Sequence, residues 1–213
     1  PRWLSDLERL LPIRSQFVVS GSIHDSFLAP LATGPALVPL IRALWESLKS
    51  KDYRFLLVYD PADGLRVYPD ETAHREQAEK LFELKLKSGS QVVSLETLSN
   101  IMKNLVGQRE ARCALVLDFA SRITRQSDHL AEGEHRFFVA AEKLALSAAP
   151  VLPVAPAAPL PNPLPPAGEG TNASLREPKV HGKPLYNPVL WLVNRPQDLP
   201  SWFTLDSERI ASL

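Results

Sequence analysis

The stretch that decides the fold is Cys113-Ala-Leu-Val-Leu-Asp-Phe119, an apolar run that ends at an acidic residue. A continuous apolar run of this length is typical of a β-strand that is buried on both faces. A second stretch, Val189-Leu-Trp-Leu-Val-Asn-Arg-Pro196, has the same pattern and ends at Asn194. Two earlier runs, Gln16–Ser20 and Arg54–Tyr59, also have the length and apolar content of buried strands.

Helical patterns lie between these strands, and in each of them apolar residues recur every three or four positions. Because buried strands that alternate with amphipathic helices form parallel sheets, the sequence predicts an α/β fold with helices on both faces of the sheet. A turn at Asp60–Gly64 and a short returning strand at Leu65–Tyr68 follow the second strand. The predicted helices run from about Trp3 to Leu11, Gly34 to Leu48, Asp70 to Lys87 with Asp70 as the cap, Leu95 to near Gly107, and through Phe137 and Leu144.

Polar residues follow the carboxyl ends of the predicted strands, which is where ligands bind in sheets of this kind. Asp25 lies beyond the first strand, Asp60 and Asp63 beyond the second, Asp118 beyond the third and Asn194 beyond the fourth. We therefore expect these side chains to meet along one edge of the sheet.

The order of these strands, and the residues at their ends, resemble the AAA+ ATPase family. Asp118 occupies the position of the Walker B aspartate, which in that family holds Mg²⁺ through water. Asn194 occupies the sensor-1 position, which in that family contacts the γ-phosphate side. The next Walker B residue is an acid that polarises the attacking water, and here Phe119 replaces it. The resemblance implies that Asp118, Asn194 and Gly21 are what remains of a nucleotide site.

The phosphate loop of that family is missing from this chain. The first strand leads into Gly21-Ser-Ile-His-Asp-Ser-Phe-Leu28. Gly21 fits the first position of G-x-x-x-x-G-K-[ST], but Ser26, Phe27 and Leu28 occupy the Gly, Lys and Ser/Thr positions. Phe27 and Leu28 can neither bind phosphate nor coordinate Mg²⁺. We therefore expect no catalytic residue, no metal site and no cofactor in this chain, and ATP with Mg²⁺ in its parent protein.

Proline separates one segment from the rest of the chain. Eight of the 20 prolines lie in residues 150–166, where missing backbone donors and fixed φ angles prevent regular structure. We interpret residues 1–213 as a single degenerate AAA+-like α/β domain that is incomplete at its C-terminus. Residues 149–183 are then a disordered, proline-rich insertion. Residues 162–170 resemble the translation of an interspersed bacterial DNA repeat, and a proline-rich ligand for a partner groove is the alternative.

The resemblance implies a non-hydrolysing module of a larger ATP-driven machine, one that serves contacts with subunits or other partners. The expected partners are AAA+ subunits, in a homo-oligomer of the full-length protein. One alternative is a Mg²⁺-dependent phosphoryl or phosphodiester hydrolase that uses Asp25, Asp60, Asp63 and Asp118. Another is a receiver-like signalling domain with an acceptor aspartate. Asp118 could also be a turn cap and Asn194 a turn residue, without any ligand.

Composition and charge favour an ordinary soluble protein. The 24 basic residues balance the 24 acidic residues, so there is no charge pattern for binding nucleic acid or a membrane surface. The single cysteine, Cys113, is consistent with a reducing compartment. No apolar stretch reaches the roughly 18 residues that a membrane-spanning helix needs. We therefore expect a cytoplasmic, bacterial protein without nucleic-acid or membrane partners.

Overall fold

The computed structural model describes residues 2–20, 39–123, 129–152, 183–205 and 210–213. These residues form a six-stranded sheet in which five strands are parallel. The strands are β1 (Gln16–Ser20), β2 (Tyr53–Asp60), β3 (Gly64–Tyr68), β4 (Arg112–Leu117), β5 (Val189–Val193) and β6 (Ile210–Ser212).

The order of the strands across the sheet is β3-β2-β4-β5-β1-β6. The predicted returning strand β3 pairs antiparallel with β2 at one edge, and all other pairs are parallel. Numbered along the chain, the five parallel strands therefore follow the order 2-3-4-1-5. A receiver-like domain has the order 2-1-3-4-5, so that alternative is wrong.

Helices cover both faces of the sheet, as the sequence predicts. α1 and α2 pack on one face, and α3, α4, α5 and α6 on the other. None of the helices in the described part of the chain is long and apolar enough to cross a membrane. The helices are α1 (Arg2–Leu10), α2 (Pro39–Lys49), α3 (Thr72–Phe82), α4 (Leu95–Gly107), α5 (Glu132–Ser147) and α6 (Ser201–Leu205).

The strand β4 shows why the sheet needs both layers of helices. Cys113, Leu115 and Leu117 face the α3–α6 layer, whereas Ala114 and Val116 face α1 and α2. All five are buried, so both faces of this strand are covered by other parts of the chain. The alternation of side chains along a strand makes this arrangement necessary, because both sets are apolar.

An aromatic cluster fills the core beside the central strands. Trp191 of β5 is fully buried, and its ring stacks on Phe138 of α5 with 5.4 Å between centroids. Phe203 of α6 packs edge-on against Trp191 at 4.8 Å. The indole N–H of Trp191 donates to the side-chain oxygen of Gln16 at 3.1 Å, so the buried polar group of each residue is satisfied.

The predicted helix over Asp70–Lys87 is shorter than the sequence indicated. It begins at Thr72 and ends at Phe82, because Glu83 adopts a left-handed conformation with φ of 53°. Asp70 does not cap it. Its carboxylate instead forms an ion pair with Arg75 and accepts hydrogen bonds from Ser88 Oγ and Gly89 N, both at 3.2 Å. Asp70 therefore fastens the loop that follows the helix.

The proline-rich insertion is anchored at its base. Residues 153–182 lie outside the described part of the chain, but Val151 pairs with Leu185 in an antiparallel bridge. Val151 is only 1% exposed. Val151 falls within the predicted insertion 149–183, but its apolar side chain is buried before the main proline run begins.

Candidate functional site

The structure places Asp118 and Asn194 at the same edge of the sheet. Asp118 directly follows β4 and Asn194 directly follows β5, and these two strands are parallel neighbours. In their register Leu117 lies opposite Trp191, so Asn194 lies two residues further along the strand direction than Asp118. Strand β1, which also ends at this edge, pairs with β5 from Gln16 to Ser20. The third predicted site residue, Gly21, lies outside the described residues.

Asp118 is held tightly by the backbone around it. Its residue exposure is 4%, and its N–H donates to the carbonyl of Tyr59 on β2 at 2.8 Å. Its carboxylate Oδ1 accepts the N–H of Phe119 at 2.9 Å. The 3₁₀ turn Ala120–Arg122 begins one residue later, with Phe119 at its N-terminal boundary. The interpretation of Asp118 as a turn cap and its role toward a nucleotide both stay predictions.

Phe119 has an unusual backbone conformation at the end of this strand. Its φ is 46° and its ψ is 40°, in the left-handed region that costs a residue with a side chain roughly 1–2 kcal/mol. The residue is 39% exposed at the edge of the sheet. A phenyl ring carries no group that accepts a proton or orients a water molecule. The position that follows Asp118 therefore offers no general base.

The stretch that follows Asn194 is a closed turn. Asn194 is exposed. The next residue, Arg195, donates its N–H to Asp198 Oδ2 and its guanidinium to Asp198 Oδ1, both at 3.1 Å. These bonds enclose the 3₁₀ turn Pro196–Asp198. Asn194 lies at the start of this turn, at the position where the resemblance implies a sensor.

The hydrolase alternative required four aspartates, and the structure describes three of them, Asp60, Asp63 and Asp118. Among the described residues, no group of three or more His, Cys, Asp or Glu side chains could hold a metal ion. Asp60 instead organises its own turn, since its Oδ1 accepts the N–H of Ala62 at 2.7 Å. Asp63 lies on the same turn, while Asp25 lies outside the described residues. The structure therefore does not bring Asp60, Asp63 and Asp118 together as ligands.

Sequence reasoning missed one buried charged residue at the opposite edge of the sheet. Arg112 is the first residue of β4, and it is 2% exposed. It directly precedes the apolar run that begins at Cys113, and a charged residue at such a position normally indicates the exposed start of a strand. The only sequence signal for its burial was its position next to a strand whose residues are all apolar.

Comparisons with known proteins identify the family to which the chain belongs. A family model described as "AAA+ chaperone, N-terminal Rossmann-like domain" matches residues 1–213. Comparisons with curated proteins and with solved structures gave no significant match.

Proposed function

We propose that this chain, which belongs to the family of AAA+ chaperone N-terminal Rossmann-like domains, is a module that does not hydrolyse ATP. Family membership makes it part of a larger AAA+ machine. Within that machine, its proposed role is to form contacts with other subunits or with partner proteins.

The observation that carries the proposal is the combination of a retained strand arrangement with a lost acidic residue. Asp118 and Asn194 lie at the carboxyl ends of neighbouring parallel strands, where the family resemblance implies Walker B and sensor-1 residues. Phe119 occupies the position of the acid that would polarise water, and Asp118 accepts the N–H of Phe119. The sequence of the first loop points the same way, because Phe27 and Leu28 replace the Lys and the hydroxyl residue.

The proposed partners are AAA+ subunits, in a homo-oligomer of the full-length protein. ATP and Mg²⁺ belong, on this proposal, to the parent protein and not to this domain. A bacterial, cytoplasmic location is part of the proposal. It is supported by the free and buried thiol of Cys113 and by the resemblance of residues 162–170 to a bacterial repeat translation.

Two measurements on the purified chain test this function. Phosphate release from ATP and Mg²⁺ reports hydrolysis, and we expect no release above that of the Asp118→Asn variant. Sedimentation over a range of protein concentrations reports self-association, and we expect oligomers larger than the monomer. Turnover that disappears in Asp118→Asn would contradict the non-hydrolysing role. A monomer at every concentration would contradict the contact role in this homo-oligomer.

A further inference from the structure

An open cavity of about 600 Å³ lies at the amino ends of β2 and β4. Its lining includes Arg112, residues of α1 and the loop between α2 and β2. Asp118 follows the opposite end of β4, which is six residues long. At about 3.3 Å per residue, the cavity and Asp118 are roughly 20 Å apart. The cavity is therefore separate from the edge where the nucleotide residues would lie.

Arg112 brings a buried positive charge to this cavity. Its Nη1 donates to the carbonyl of Lys51 at 2.7 Å, its Nε donates to that of Val151 at 3.4 Å, and its Nη2 donates to that of Lys183. These acceptors are neutral. Asp52 Oδ2 lies 4.0 Å from Nη1, and its side chain is 59% exposed. The charge of Arg112 therefore has no close carboxylate partner among the described residues, and burial lowers the pKa of its guanidinium.

The other charged residues of the cavity leave an excess of positive charge. Four cations line it (Arg9, Lys51, Arg112 and Lys183), against the two carboxylates of Glu8 and Asp52. Glu8 is already engaged by Ser47 Oγ at 2.5 Å and by Lys51 Nζ at 3.4 Å. In the described part of the chain, Arg9 pairs with Asp6, which lies outside the lining, at 3.7 Å. Lys183 has no ion pair within the described part of the chain.

We propose that this cavity binds a small molecule through a phosphate group. A guanidinium has five N–H donors, and three hydrogen bonds engage that of Arg112, so donors remain for an oxyanion. Lys183 and Arg9 supply exposed cations at the entrance, and a phosphate dianion balances the excess charge of the lining. The volume falls in the usual range of small-molecule pockets, roughly 300–1,000 Å³.

Inorganic phosphate and pyrophosphate are the probes for this site, measured by isothermal titration and by thermal unfolding at constant ionic strength. At ten times its dissociation constant, pyrophosphate is expected to raise the melting temperature of the full chain by about 3–6 °C. The variants Lys183→Gln and Arg9→Gln each remove an exposed charge without touching the core. We expect each to weaken binding about tenfold. Lys143→Gln, which removes an exposed cation on α5, is expected to bind like the unmodified chain.

Three outcomes would overturn the proposal. One is the absence of binding by either probe at concentrations up to tens of millimolar. Another is equal affinity in the unmodified chain and in the Lys183→Gln and Arg9→Gln variants, which would place the anion elsewhere. The third is an equal loss of affinity in Lys143→Gln, which would show attraction by general charge. None of these outcomes affects the proposed AAA+ role, because that role is read from ATP turnover and from variants at Asp118.

Discussion

Asp118 and Asn194 follow adjacent parallel strands at one edge of the sheet, and Asn194 lies two residues further along the strand direction than Asp118. The turn that follows each residue is closed by its own hydrogen bonds. Asp118 accepts the N–H of Phe119, and Arg195 is fastened to Asp198. The edge therefore brings together the two strand ends that the family resemblance assigns to a nucleotide site, and the turns that follow them are closed by local hydrogen bonds.

The turn between β2 and β3 requires glycine at position 64. Gly64 has φ of 94°, and a Cβ there would lie 2.1 Å from the carbonyl oxygen of Gln91. Gly64→Ala is expected to lower the free energy of unfolding by about 2–4 kcal/mol, from backbone strain and this clash. Gly133→Ala is the control, since nothing lies within 4 Å of a Cβ there. Urea unfolding of both variants measures the difference, and equal stability of the two would contradict the assignment.

Removing the insertion above its anchored base should preserve the fold. We expect replacement of residues 153–182 by four Gly/Ser residues to raise stability by about 1 kcal/mol, because the loop to be closed becomes shorter. Extending the deletion to residue 150 removes Val151, whose burial contributes roughly 1.5–3 kcal/mol. Melting temperatures of the two deletions provide the comparison. A large loss in the shorter deletion would show that residues 153–182 stabilise the domain.

Asp70 should make stability depend on pH. Its ion pair with Arg75 holds the pKa of the Asp70 carboxyl below its usual value, so the stabilising contribution is complete above the unfolded pKa of about 3.9. That contribution is lost as the pH falls through the lower folded pKa. The melting temperature of Asp70→Asn should therefore lie below that of the unmodified chain at pH 7 and approach it near pH 2. The control is Asp63→Asn, on an exposed turn. A difference in melting temperature between Asp70→Asn and the unmodified chain that does not change with pH would refute the role of this ion pair.

Cys113 should be chemically inert in the folded protein. Burial raises the pKa of its thiol, so the reactive thiolate is scarce at neutral pH, and the side chain is fully buried in β4. Reaction with a disulfide reagent at pH 8 is expected only at the rate of global unfolding. The same sample in guanidinium chloride should react completely within seconds to minutes. If the native protein reacts as fast as the protein in guanidinium chloride, Cys113 is accessible in the folded state and the prediction is wrong.

The central strands could be predicted from the sequence because their burial is continuous. Cys113–Leu117 and Val189–Val193 are apolar at every position, and only a strand covered on both faces needs such a run. The carboxyl ends of the predicted parallel strands also placed Asp118 and Asn194 at one edge, and the structure has both there. These predictions depend on local pattern, which a single sequence contains.

Contacts between distant segments could not be predicted in this way. Asp70 has the sequence context of a helix cap, but two of its partners, Ser88 and Gly89, lie 18 and 19 residues later. Arg112 looks like a strand boundary, although it donates to the carbonyls of Val151 and Lys183, 39 and 71 residues away. Which polar group satisfies a buried donor depends on tertiary structure, and the sequence pattern contains no signal for it.

The central claim is that this domain keeps the strand arrangement of an AAA+ module and lacks its phosphate chemistry. Its most direct test is isothermal titration of the purified chain with ATP and Mg²⁺, using Lys183→Gln to weaken binding at the amino-end cavity. We predict that any heat measured with this variant at millimolar ATP stays unchanged when Asp118→Asn is added, because Phe27 and Leu28 stand at the sequence positions of the Lys and the hydroxyl residue that bind phosphate and Mg²⁺. Saturable binding to Lys183→Gln that disappears when Asp118→Asn is added would contradict the claim.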